Sequence, residues 1–156
     1  GIEIVCCTTP LGRNPLLAGL KHLNRLEQVL AARELAAREA VEGLMFDELD
    51  QLIEGTRSNV FLVKDGELRT PLLDACGIAG VMRGVILELA GALGIPAREA
   101  QLPRGALGGA DELFVCNSLI GLWPVRSIAG TGGRTFGEPN LARLLQRALL
   151  ERDLLP

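Results

Sequence analysis

The chain has 156 residues, of which 48% are apolar and 22% charged, with 16 Lys and Arg against 19 Asp and Glu. That length and apolar fraction suit one sizeable core without help from disulfides or metals and argue against disorder. A net charge of −3 with interleaved signs, 3% aromatic residues, no Tyr and a single His argue against nucleic acid as a partner and against a Cys/His zinc site, leaving small molecules as the partner class.

Ile2–Cys7 is β-branched or small and apolar and stops at Thr8-Thr9-Pro10, which predicts a first strand. The chain enters on this strand without an initiator Met, as part of a longer protein would. After a loop rich in Gly, Pro and Asn, a 3.6-residue period through Leu23, Leu26 and Val29/Leu30 predicts a helix from about Gly19 to Ala40, with Lys21 at its entrance. Strands are expected at Leu44–Phe46, Leu52–Glu54 and Val60–Lys64, the last returned by the hairpin signal Asp65-Gly66 into Glu67–Thr70. Gly77-Ile78-Ala79-Gly80 opens a second helix over Val81–Leu93, stopped at Gly94-Ile95-Pro96. Leu107–Glu112 is expected to be a connecting turn, Leu113–Asn117 and Leu122–Ile128 buried strands, and Pro139–Arg152 an amphipathic helix. Helices alternate with strands but hairpins are mixed in, so the fold class is mixed α/β over residues 1–156 as one domain. Charges such as Glu88 interrupt apolar runs before they reach a membrane span, and the sparse, unpaired cysteine pattern suits a reducing, cytoplasmic setting.

Three features could carry chemistry. Lys21 follows an almost wholly apolar approach, and a dry setting makes an ammonium lose charge more readily, as a Schiff-base lysine requires; taken alone, the stretch favours a solvated lysine. Glu54 ends an apolar strand beside the turn Gly55-Thr56-Arg57-Ser58-Asn59, where a carboxylate points into a cleft or pairs with Arg57, and Asn59 is equally a plain turn residue. The Gly77–Gly80 stretch offers backbone N–H groups to an anion. Gly130-Thr131-Gly132-Gly133 meets neither nucleotide-binding spacing and is expected to be a surface loop.

In combination, Glu54-Gly55-Thr56-Arg57-Ser58-Asn59-Val60-Phe61, Leu68-Arg69-Thr70 and Ile78-Ala79-Gly80-Val81-Met82-Arg83 resemble the signature of the class IV aminotransferase family, pyridoxal-phosphate enzymes of fold type IV. Lys21 stands where that family carries its lysine. Lys21-His22-Leu23-Asn24-Arg25-Leu26-Glu27-Gln28-Val29-Leu30, Cys76–Arg83 and Val115-Cys116-Asn117-Ser118-Leu119 are similar to the family's lyase branch, which acts on 4-amino-4-deoxychorismate. Branched-chain aminotransferases of this fold carry a Tyr five residues after the lysine, where this chain has Leu26.

The resemblance implies a barrel-like mixed sheet flanked by helices, the larger C-terminal domain of fold type IV, with no counterpart in this chain of the family's smaller N-terminal domain. It implies pyridoxal 5'-phosphate as cofactor and a homodimer as the assembly. It makes Lys21 the catalytic and cofactor-linked residue, Glu54 the partner of the pyridine nitrogen, Ile78 and Ala79 backbone donors to the phosphate, and Asn117 and Ser118 side-chain donors to it. The reaction implied is release of pyruvate and 4-aminobenzoate, a step in folate synthesis. The alternatives are transamination of branched-chain or D-amino acids with the same Lys21 and Glu54, or a non-catalytic fragment. Arg25, Arg57, Arg126 and His22 are left unassigned, and Cys76 and Cys116 are expected to be small buried hydrophobes.

Overall fold

The computed structural model describes residues 1–130 and 133–154, so Thr131 and Gly132 of the glycine-rich loop lie outside the described residues. The chain runs β1 (Ile2–Cys6), α1 (Leu26–Ala37), β2 (Gly43–Phe46), β3 (Leu52–Gly55), β4 (Asn59–Lys64), β5 (Glu67–Pro71), α2 (Val81–Ala92), β6 (Ala97–Ala100), α3 (Ala106–Gly109), β7 (Glu112–Asn117), β8 (Gly121–Ala129), β9 (Arg134–Thr135) and α4 (Asn140–Glu151). One mixed sheet has the order β3-β2-β1-β8-β7-β4-β5-β6, with β9 added on β8. Its ends approach each other: Gln51 bridges Pro103, and the Leu52 N–H donates to Leu102 O at 2.8 Å. These contacts curl the sheet toward a barrel, which is the expected α/β architecture.

Period-two alternation decides what lies inside. Val60 and Leu62 of β4 join Leu113 and Val115 of β7, Ile4 and Leu44 in the cluster enclosed by the sheet. Their neighbours Phe61, Val63, Phe114 and Cys116 face outward onto Ile86 and Leu89 of α2 and Leu145 and Leu149 of α4. α1 covers a third cluster, packing Ala31 and Leu35 on Val5, Met45 and Ile53. The β4–β5 hairpin turns as its sequence predicts, with positive φ at both Asp65 (51°) and Gly66 (77°).

One expectation needs correction. α1 starts at Leu26 and not near Gly19, because Gly19, at φ 78°, is held in backbone pairing with the stretch before α2: its N–H donates to Gly77 O at 2.9 Å and its carbonyl accepts from Ala79 N–H at 3.1 Å. Residues 20–25 therefore cross the surface outside the helix, and Lys21 rides on that crossing. β6, Ala-Arg-Glu-Ala, forms where no element was expected; it carries no apolar alternation because it is an exposed edge strand, pairing with β5 alone. The 107–112 segment also differs in detail, holding the short helix α3 and the start of β7.

The turn between β3 and β4 is built on a buried carboxylate. Glu42 is 1% exposed, and its Oε1 accepts from Gly43 N–H (2.8 Å), Thr56 N–H (2.9 Å) and Thr56 Oγ1 (2.6 Å), while Oε2 accepts from Ser58 Oγ (2.8 Å). Glu42→Ala leaves the Gly43 N–H and the Thr56 and Ser58 hydroxyls without their acceptor in the interior, while the Thr56 N–H keeps its second bond to Gly43 O, so a stability loss of about 3 kcal/mol is expected in urea unfolding. A loss under about 1 kcal/mol would contradict this account of the turn.

Candidate active site

β3 ends, β4 begins and β7 ends at one rim of the barrel, and α2 begins there too. Between them lies a cavity of about 360 Å³ whose lining includes Lys21, Arg25, Glu54, Asn59, Val81, Met82, Asn117 and Ser118. Lys21, Glu54, Ile78, Asn117 and Ser118 thus meet at one place although nearly 100 residues separate the first from the last. The chain has two lysines. The other, Lys64, sits at the far end of β4 and is engaged with Asp111 at 3.4 Å and Asp65 at 3.6 Å.

Glu54 is 2% exposed at the end of β3. Its Oε2 accepts from Ile78 N–H at 2.8 Å and its Oε1 from Gln28 Nε2 at 3.1 Å, with the Arg25 guanidinium 3.6 Å from Oε1. Burial pushes its carboxyl above the usual range, opposed by the Ile78 N–H, Arg25 and Gln28. Of the two alternatives for Glu54, pairing with Arg57 is not the one that forms: Arg57 turns away to donate to Val41 O at 2.6 Å. Asn59 is a spacer of the site. Its Nδ2 donates to Ile78 O at 2.7 Å and its Oδ1 accepts from Gly80 N–H at 3.1 Å, tying β4 to the start of α2. Gly80 is required by this approach, since a Cβ there would lie 2.2 Å from Asn59 Oδ1.

These bonds decide which backbone donors are free. The N–H groups of Ile78 and Ala79, expected to face a phosphate, are engaged by Glu54 and by Gly19 O. The first helical bond of α2 runs from Gly84 N–H to Gly80 O, so the uncommitted first-turn donors belong to Val81, Met82 and Arg83. Asn117 has its amide in use as well: Nδ2 donates to Arg57 O at 2.9 Å, and Oδ1 accepts from Leu119 and Ile120 N–H, closing the β7–β8 turn. Ser118, exposed at the cavity wall, has no hydrogen-bond partner among the described residues.

Of the unassigned residues, Arg25 and Arg57 line the cavity and Arg126 does not. His22 faces a neighbouring cavity of about 190 Å³ with Gln28 and Cys76. Cys76 and Cys116 are buried, as expected, and burial pushes both thiols up to about 12, so neither is a nucleophile. Sequence reasoning gave Gln28 and Glu42 no role; only their burial marks them.

Comparison with known proteins agrees with this geometry. The chain is 40% identical over 147 residues to the aminodeoxychorismate lyase of Vibrio harveyi, covering 94% of this chain and 54% of that protein. The crystal structure of 4-amino-4-deoxychorismate lyase from Pseudomonas aeruginosa superposes with a TM-score of 0.91 at 45% identity, over 97% of this chain and 55% of that one. The branched-chain amino acid aminotransferase of Escherichia coli superposes with a TM-score of 0.86 at 32% identity, over 96% and 52%. The chain thus spans about half the length of these relatives. Residues 3–128 match amino-transferase class IV, and the chain belongs to that family.

Proposed function

We propose that this fold is the larger, cofactor-holding domain of a pyridoxal-phosphate lyase that converts 4-amino-4-deoxychorismate to 4-aminobenzoate and pyruvate. The observation that carries the reading is the junction of one lysine, one buried carboxylate and one uncapped helix N-terminus around a single cavity. The cofactor fits that donor set. Glu54 would face its pyridine nitrogen, Lys21 would hold it covalently, and the N–H groups of Val81 and Met82, with the Ser118 hydroxyl, would take its phosphate in place of Ile78 and Ala79. Bound there, pyridoxal phosphate supplies an electron sink for a carbanion.

The protein's own part is positional and acid–base. Glu54, ionised, favours the protonated ring nitrogen and with it the stronger sink. The Lys21 amine removes the proton from the ring carbon that bears the substrate's amino group. The bond to the enolpyruvyl oxygen then breaks, and the enolpyruvate takes a proton at its methylene carbon to become pyruvate while the ring becomes aromatic. Higher identity to the lyase structure than to the aminotransferase structure supports elimination over transamination. So does Leu26, which is 66% exposed at the place of the aminotransferase tyrosine.

Exposed apolar side chains stand at the cavity wall: Val81 and Leu119 are 77% and 86% accessible. Such a rim supports coverage by a further domain or a second subunit, the latter in a homodimer. All four cysteines are free, and no helix of the described residues is long and apolar enough to cross a membrane; the free thiols support a cytoplasmic setting.

The deciding assay follows products. The reading expects pyruvate and 4-aminobenzoate in equal amounts from aminodeoxychorismate with no keto acid added; product formation that depends on a keto-acid acceptor would replace it with transamination. Lys21→Ala is expected to lower turnover by about 10³-fold with the circular dichroism unchanged, and retained activity would remove Lys21 from the reaction. Glu54→Gln is expected to keep the cofactor and slow turnover by about a hundredfold; an unchanged rate would separate Glu54 from the chemistry.

A further inference from the structure

Gln28 lies on α1, which otherwise contributes apolar packing through Ala31 and Leu35. It is 9% exposed, and its side chain spans from α1 to β3, where Nε2 donates to Glu54 Oε1 at 3.1 Å. Its own carbonyl oxygen, Oε1, is buried with no partner among the described residues. An unpaired buried oxygen costs stability that an apolar side chain of the same size would not, so packing alone does not account for a glutamine here.

We propose that Gln28 is a positioning residue for Glu54, fixing that carboxylate in its ionised form with one acceptor site turned to the cavity for a protonated nitrogen heterocycle. The inference rests on the cofactor reading above. Only the NH2 end of an amide bonds a carboxylate; its oxygen would face like charge and would bond only a protonated carboxyl. The observed orientation therefore favours the ionised state. A carboxylate has about four acceptor sites. Gln28 and Arg25 approach Oε1 and Ile78 N–H takes one site on Oε2, which leaves Oε2 a further site. Arg25 also favours ionisation, while Glu42 opposes it. Lys21 shares the cavity wall, and the Cys76 thiol, held neutral by burial, adds no charge. Arg25 is a quarter exposed and beyond hydrogen-bond distance, so Gln28 is the donor that sets the geometry.

The test is Gln28→Met, which keeps length and volume and removes the donor. In the holoenzyme, the acid limb of the pH profile of kcat/KM and the acid titration of the cofactor's visible absorbance are both expected to move up by about one pH unit. The sign follows from the loss of a donor that favours the charged form of Glu54. Identical acid limbs in a folded variant would overturn the proposal, since a packing role moves stability without moving the titration. Independently of cofactor and of the variant's folding, the side-chain NH2 resonances of Gln28 in the wild-type chain should be protected from exchange and should titrate together with Glu54. Free exchange, or no response to pH, would overturn the proposal. Absence of any cofactor band in the wild type would count against the functional reading instead, leaving the NMR result to decide the role of Gln28.

Discussion

A carboxylate buried at the end of a strand is the constraint on which the site depends. Glu54 is almost without solvent, and an isolated charge there would be expelled or neutralised. It is retained because donors come from three places: Ile78 on the approach to α2, Gln28 on α1, and Arg25 just before α1. Satisfying one group thereby pins both helices against β3. The same contacts spend the Ile78 N–H and leave the first turn of α2 open to the cavity, so the position of a free donor set follows from where a carboxylate had to be satisfied.

A second buried carboxylate supports the first. Glu42 holds the Thr56 and Ser58 hydroxyls and the Thr56 N–H, which fixes the turn that sends Glu54 in on one side and Asn59 out on the other. Asn59 then reaches across to the Ile78 carbonyl and the Gly80 N–H, at an approach that only a glycine permits. The lysine is placed by backbone pairing of Gly19 with Gly77 and Ala79, which carries residues 20–25 across the cavity. Lys21 is thus positioned by bonds that are mostly main chain, and its side chain has no hydrogen-bond partner among the described residues.

The strands were legible because their alternation is local: β4 and β7 state their inner and outer faces residue by residue, and Asp65-Gly66 states its turn. What depended on distant partners was not legible. The start of α1 is displaced because Gly19 pairs with residues some 60 positions away, which no periodicity within residues 19–40 reveals. β6 is an exposed edge strand, so its sequence carries no apolar alternation to announce it. At the site, Lys21 and Glu54 could be singled out by type and place, but which N–H groups of the glycine stretch were free could not. That depended on Glu54 and Gly19 having already taken Ile78 and Ala79. Glu42 and Gln28 could not be told from surface residues because a polar side chain shows its burial only through distant partners, Thr56 and Ser58 for one and Glu54 for the other.

Under the proposed function, the cavity at the rim of the barrel takes pyridoxal phosphate with Lys21 as its covalent anchor. The most direct measurement is the absorbance spectrum of the protein with added pyridoxal phosphate, before and after borohydride, followed by mass mapping of the modified residue. A visible band that disappears on reduction and leaves the cofactor mass on Lys21 alone is the predicted result. Modification of Lys64 or the N-terminus in place of Lys21, or no stable modification in the full-length protein, would contradict it.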